Sequence, residues 1–181
     1  MPLTVDSDPV PSPLRDAVQN VPFEGESPPA IVSISDIHGY LEDARQALLT
    51  LDDHPDFEPV VTADDDGLLH WADENYVLVF NGDLVDRGPR NEDVMAMVAR
   101  LIDEAPPGRV RVTLGNHEWM ILLPDKYQFA GWYSTTMSEA ERRQYLQRIA
   151  DGHVVAAYEG HTVTYAHAGA SEPYEVTTVN E

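Results

Sequence analysis

The sequence predicts an α/β layered domain, a β-sheet core flanked by helices, on three observations. Short apolar runs rich in β-branched residues alternate with segments of helical periodicity. Four of those runs end abruptly in a polar word that carries Asp, His, Asn or Arg. With 181 residues the chain fits one domain with a substantial core, placed at residues 30–181 behind a Pro-rich acidic arm at residues 1–29 that has no regular period and is expected to be disordered.

The elements follow in order. Residues 30–34, AIVSI, are uncharged and largely β-branched, the pattern of a buried strand, and Asp36 cuts the run off. Leu41, Ala44, Leu48 and Leu51 then recur at helical spacing, which predicts a helix over 40–51. Residues 60–63 and 68–71 flank Asp64-Asp65-Asp66-Gly67 as a hairpin; this acidic insertion is read as a solvated excursion, the alternative being a flank of the site that repels anions. Further strands are predicted at 76–80 and 109–114. Between them a helix spans 91–105 with Val94, Met97, Val98, Leu101 and Ile102 on its apolar side, Met95 and Met97 serving as core fillers. Its N-terminus follows the Asp86-Arg87-Gly88 turn, so its dipole favours an anion there. A third helix begins in or just after residues 115–118. A fourth covers 138–150, with Glu141 in the capping-box position relative to Ser138. Residues 154–158 and 161–165 read as a tight hairpin around Glu159-Gly160.

The four polar words are Asp36-Ile37-His38-Gly39, Gly82-Asp83-Leu84-Val85-Asp86-Arg87-Gly88, Gly115-Asn116-His117-Glu118 and Tyr165-Ala166-His167-Ala168-Gly169. Taken singly, each is an ordinary turn or surface pair. Four of them in order at strand ends are not accidental, because ligand sites in open α/β sheets lie beyond the carboxyl ends of strands. Their residue types suit a two-metal phosphoesterase. Two divalent cations about 3.5–4 Å apart clamp the attacking and leaving oxygens of an in-line displacement and turn shared water into hydroxide. Asp83, central and preceded by a glycine that admits close approach, is the expected bridge. Asp36 and His38 complete one site, and Asn116 and His167 serve the other. This oxygen and nitrogen set suits Mn²⁺ first, with iron or zinc as alternatives, better than it suits calcium. His117 is placed to protonate the leaving oxygen, Asp86 to fix its ring, and Arg87 to hold phosphoryl oxygens.

The words GDLVDRG and GNHE, with DIHG and AHAG, resemble the calcineurin-like metallophosphoesterase superfamily and its PPP branch, over residues 30–170. That branch holds Ser/Thr protein phosphatases, their prokaryotic relatives and symmetrical diadenosine tetraphosphatases. By motif position the resemblance implies metal ligands Asp36, His38, Asp83, Asn116 and His167, with His117, Asp86 and Arg87 as catalytic groups. It also implies a substrate that is a phosphorylated protein or a small phosphoester, with a dinucleoside polyphosphate as the alternative. Ser35 stands where the branch usually has glycine. The family's further C-terminal histidine in a GH word has no counterpart after His167, so the fold is expected to be incomplete at its C-terminus. Either water replaces that ligand, or the chain is a fragment, in which case an inactive domain that binds metal or a partner becomes the alternative function. Gly160-His161-Thr162 resembles the GH word, yet an even spacing on one strand would hold His161 about 20 Å from His167, so it is read as a strand-edge residue. Leu122 to Met137 is the expected pocket region; Trp119, directly after the third word, and Trp132, within that region, either floor a cleft or pack, and packing is the expected use.

Thirty-two acidic residues face eleven basic ones, giving a formal charge of −21, and Lys126 is the only lysine. The acids are spread along the whole chain, which argues against a nucleic-acid partner and against a single acidic tail. An acidic surface almost without lysine resembles the proteins of salt-in halophiles; a haloarchaeal protein needing molar salt is the expectation. There is no cysteine, hence no disulfide or thiol chemistry. No apolar stretch is long enough to span a bilayer, and the N-terminus lacks a signal-peptide pattern, so no membrane partner and a cytoplasmic location are expected.

Overall fold

The computed structural model describes residues 28–52, 54–127, 129–170 and 172–180. The predicted arm therefore lies outside the described residues except for Pro28 and Pro29. The centre of the fold is a four-stranded sheet of order β1-β4-β5-β6, parallel throughout, formed by β1 (Ala30–Ile34), β4 (Tyr76–Phe80), β5 (Val110–Thr113) and β6 (Val154–Val155). Helices α1 (Leu41–Leu48), α2 (Asn91–Glu104), α3 (Asn116–Leu122), α4 (Tyr133–Thr136) and α5 (Glu139–Ala150) connect these strands, and a 3₁₀ turn at Leu49–Leu51 prolongs α1. A short α6 (Val176–Val179) ends the described chain. The predicted layered α/β architecture is the one observed.

Strand β4 shows why its run carries no polar residue. All five of its residues are buried, because both sheet faces are covered. Tyr76, Leu78 and Phe80 join Val110, Val112, Val94, Leu101 and Leu48 in the larger core on one face. Val77 and Val79 pack with Val155 and Tyr158 on the other, against Ile31 and Tyr165. Burying a side chain of this size contributes about 1.5–3 kcal/mol. Strand β1 departs from its expected full burial: among the described residues it pairs only with β4 and leaves Ala30 and Ser33 exposed, the position of an edge strand.

Two further expectations change. The acidic insertion is a solvated excursion only in part: Asp64, Asp65 and Asp66 are exposed, but the strands beside them are anchored. Its hairpin of β2 (Val61–Ala63) and β3 (Leu69–Trp71) sinks Val60, Val61 and Leu69 into the main core, while Asp64, at the start of the tip, accepts from the backbone N–H groups of Asp66 and Leu68. The last strands are not one hairpin around Glu159-Gly160. Residues 154–155 join the parallel sheet, and the separate antiparallel pair is β7 (Tyr158–Gly160) with β8 (Val163–Tyr165). It turns at His161 and Thr162, both at positive φ, which places a hairpin turn where a strand was expected. His161 is thus a turn residue, 2.6 Å from the Pro29 carbonyl through Nε2.

Candidate dinuclear metal centre

Three of the four words lie at the carboxyl ends of the adjacent strands β1, β4 and β5. Backbone hydrogen bonds continue the β1–β4 pairing beyond the strands and zip the first two words together. Asp36 N–H donates to the Gly82 carbonyl (3.1 Å), His38 to Asp83 (2.9 Å), Gly39 to Leu84 (2.8 Å), and Gly88 returns one to His38 (2.7 Å). The path is strained. Asp36, His38, Asp83, Asp86 and Arg87 all hold positive φ, between 49° and 72°, where non-glycine residues are uncommon. Such strain persists only where surrounding contacts over-determine it, and it gathers at functional sites. The fourth word comes from outside the sheet. Its strand β8 belongs to the hairpin on the second face, and Asn81 joins it to the centre by donating to the Ala166 carbonyl (3.2 Å) while accepting from Thr113 Oγ1 (2.8 Å).

Asp83 stands in the middle. Its carboxylate is 3% exposed, and its Oδ2 lies 3.6 Å from His38 Nε2, 3.8 Å from His117 Nε2 and 3.4 Å from His167 Nε2. His38 Nε2 is also 3.7 Å from Asp36 Oδ1. Two candidate ligand groups result, His38 with Asp83 and His117, and Asp36 with Asp83 and His167; within each, the ligand atoms lie within 4.8 Å of one another. Asp83 is common to both. The outer nitrogens of two histidines are committed to backbone carbonyls, His38 Nδ1 to Val85 (3.1 Å) and His167 Nδ1 to Asn81 (3.0 Å). A ring that donates through Nδ1 carries its lone pair on Nε2, toward the centre.

The donor set fits a cation on observations of this structure. His38 Nε2 is buried and has no hydrogen-bond partner among the described residues. The ion pairs of buried Asp83 run to imidazoles, with no lysine or arginine among the described partners. A buried carboxylate and an orphaned imidazole nitrogen side by side are costly unless a positive charge lies between them. The glycine before Asp83 has a different use from the one expected. Gly82 sits at φ 78°, and a Cβ there would lie 2.7 Å from His167 Nδ1, so the glycine makes room for the histidine.

His117 opens onto the same space from α3. Its Nδ1 is 2.7 Å from Asp86 Oδ2, its Nε2 is 3.5 Å from Arg87 Nη2, and its backbone N–H donates to Asp83 Oδ1 (3.1 Å). Arg87 is exposed, whereas His117 and Asp86 are 1% exposed. Asn116 is the first residue of α3, next to His117, and is exposed. Asp36, His38, Asp83, His167, His117, Asp86 and Arg87 are thus brought to one locus, with Asn116 beside it in sequence. Trp119 is largely exposed, while Trp132 stacks on the His117 ring, with centroids 4.8 Å apart and planes 25° from parallel.

Sequence reasoning missed four contributors. Glu118, fully buried, accepts from the backbone N–H groups of Asp83 (2.7 Å), Leu84 (2.8 Å) and Gly115 (2.9 Å), clasping the second word to the third. Burial, opposed by these three donors, holds its carboxyl above the ordinary range. Its signal was present, since a Glu three residues after a helix-opening glycine is half of a capping box. Asn91 accepts from Asp86 N–H (2.7 Å) and donates to the Gly88 carbonyl (2.9 Å). Asn81 and Ser134 act across more than 30 residues of chain, and no local pattern marks them.

Residues 29–181 match the family described as calcineurin-like phosphoesterase. Among solved structures, the chain is similar to the cold-active protein-tyrosine phosphatase of the psychrophile Shewanella sp., at 23% identity and TM-score 0.55, covering 80% of this chain and 43% of that one. A mutant of a cold-active protein tyrosine phosphatase matches at 26% identity and TM-score 0.55 over the same shares. Another cold-active protein tyrosine phosphatase structure matches at 24% identity and TM-score 0.58, with 80% of this chain and 42% of that one covered. The chain therefore spans less than half the length of these structural relatives.

Proposed function

The chain belongs to the calcineurin-like phosphoesterases, a family of hydrolases that use divalent metals, and from that premise we propose that it hydrolyses phosphomonoesters carried on protein side chains, phosphoserine and phosphothreonine first. The observation that supports this most is Asp83, the one carboxylate common to both candidate ligand groups. Two divalent cations, Mn²⁺ by preference, would be held by Asp36, His38, Asp83, Asn116 and His167. When bound they supply an activated water nucleophile and neutralise phosphoryl charge.

The chain's own residues do the rest. Asp83 would be the ligand shared by the two ions, since it is common to both candidate groups. His117 is assigned to proton transfer and not to ligation, although its Nε2 also lies within reach of Asp83. Its Nδ1 is tied to buried Asp86, and its Nε2 faces the Arg87 guanidinium, a poor neighbour for a further cation. Asp86 orients the ring so that Nε2 presents a proton to the leaving oxygen. Arg87, exposed at the mouth, offers two parallel N–H donors to phosphoryl oxygens.

The test is one panel in molar KCl with Mn²⁺: p-nitrophenyl phosphate, a phosphoserine peptide, a phosphotyrosine peptide and diadenosine tetraphosphate, each beside Asp83→Asn. The expected result is turnover of the monoesters, reduced at least about a thousandfold in the variant with its circular dichroism unchanged. Equal turnover in both proteins sinks the bridging role. Cleavage of the dinucleotide alone promotes a dinucleoside polyphosphate hydrolase. Metal binding without turnover promotes a domain that only binds.

A further inference from the structure

Ser134 lies 48 residues from Asp86 in sequence, outside all four words, yet it holds both oxygens of that carboxylate. Its backbone N–H donates to Oδ1 (2.9 Å) and its hydroxyl to Oδ2 (2.6 Å), the same oxygen that faces His117 Nδ1 at 2.7 Å. Ser134 is itself fully buried. The neighbouring Trp132 covers one face of the His117 ring, while His38 stands edge-on to that ring with centroids 4.8 Å apart and planes at 79°.

We propose that Ser134 is a positioning residue that locks Asp86 in place and, through Asp86, aims the His117 ring, with Trp132 as the backstop of that ring. A carboxylate held by histidine alone turns freely about its Cβ–Cγ bond and carries the imidazole with it. Two donors from one residue, one on each oxygen, remove that rotation. Proton delivery depends on aim, so a small swing of Nε2 lowers the rate while substrate affinity is kept. The clamp rests on the two hydrogen bonds from Ser134 to Asp86. Only its effect on rate rests on the phosphomonoesterase reading.

The bland account is that Ser134 merely docks α4, and three observations separate the two. Ser134→Ala removes the hydroxyl donor and keeps the backbone one; Ser134→Cys keeps the volume and replaces the donor by a weak one. Turnover is measured on p-nitrophenyl phosphate, whose leaving group needs little protonation, and on phenyl phosphate, whose leaving group needs it. The expected result is a fall of about tenfold in the ratio of phenyl to p-nitrophenyl kcat in both variants, with KM within about twofold. A docking role predicts that Cys behaves as wild type and that Ala lowers both substrates equally, and either outcome overturns the proposal. Independently, proton NMR of the metal-free protein follows the downfield His117 Nδ1–H, which is expected to be slow to exchange in wild type and lost in both variants. An unchanged resonance in both also overturns the proposal. Should Ala fail to fold, Cys carries the comparison. If wild type turns over neither ester, the reaction reading fails, and the NMR comparison decides the clamp by itself.

Discussion

At the scale of single residues, Glu118 shows how a side chain can organise a site without touching substrate. Its carboxylate ties the Asp83 and Leu84 amides to that of Gly115, so the central carboxylate and the helix that carries His117 move as one. Glu118→Ala would leave three buried N–H groups without their acceptor, each at about 1–3 kcal/mol. The expected outcome is a loss of roughly 3 kcal/mol or more in urea unfolding, together with loss of Mn²⁺ binding by calorimetry. A variant as stable as wild type would show that water serves those amides equally well. The positive φ at Asp36, His38, Asp83, Asp86 and Arg87 belongs to the same scale. Local sequence gives no reason for a left-handed arginine or histidine; cross-strand bonds between the first two words impose it.

At the scale of elements, the hairpin β2–β3 is pinned to α2 by His70, whose Nδ1 lies 2.8 Å from Glu104 Oε1 and whose Nε2 lies 3.2 Å from Asp64 Oδ2. The hydrogen bond to Asp64, then that to Glu104, raises the His70 pKa above the ordinary 6.5, while the Leu68 amide first, and then His70, lower that of Asp64. The sign follows from the raised folded value: this contribution is fully present below pH 6.5 and fades as pH rises through the folded pKa. The pair is solvent-exposed, so the effect is small. Thermal unfolding from pH 6 to 9 should therefore show a decline in Tm that is shallower in His70→Gln; parallel profiles would dismiss the pin. This element was legible as a hairpin from Asp64-Asp65-Asp66-Gly67. Its docking was not, because Glu104 lies 34 residues away. The two short helices α4 and α6 left no trace either, since four residues are too few for a period to register.

At the scale of the whole molecule, a charge of −21 on 181 residues sets the condition for compactness. Repulsion among thirty-two acids is long-ranged in dilute buffer and shrinks to a range of about 3 Å near 1 M salt. We expect far-UV circular dichroism and Tm to fall as KCl is lowered from molar to about 0.05 M, and a fold indifferent to that dilution would count against a salt-dependent protein. Among the described residues no helix is long and apolar enough to cross a membrane.

The sequence by itself determined the layered α/β class, the central strands, the main helices α1, α2 and α5, and most of the histidines and carboxylates that gather around Asp83, because periodicity and motif order are local properties of a chain. Tertiary structure alone decided that β1 is an edge strand, that His161 sits in a turn facing Pro29, and that Ser134, Asn81 and Trp132 support the centre. Those facts depend on which surfaces are covered and which distant groups satisfy a buried carboxylate or carbonyl, and such pairings are fixed only when the layers close on one another.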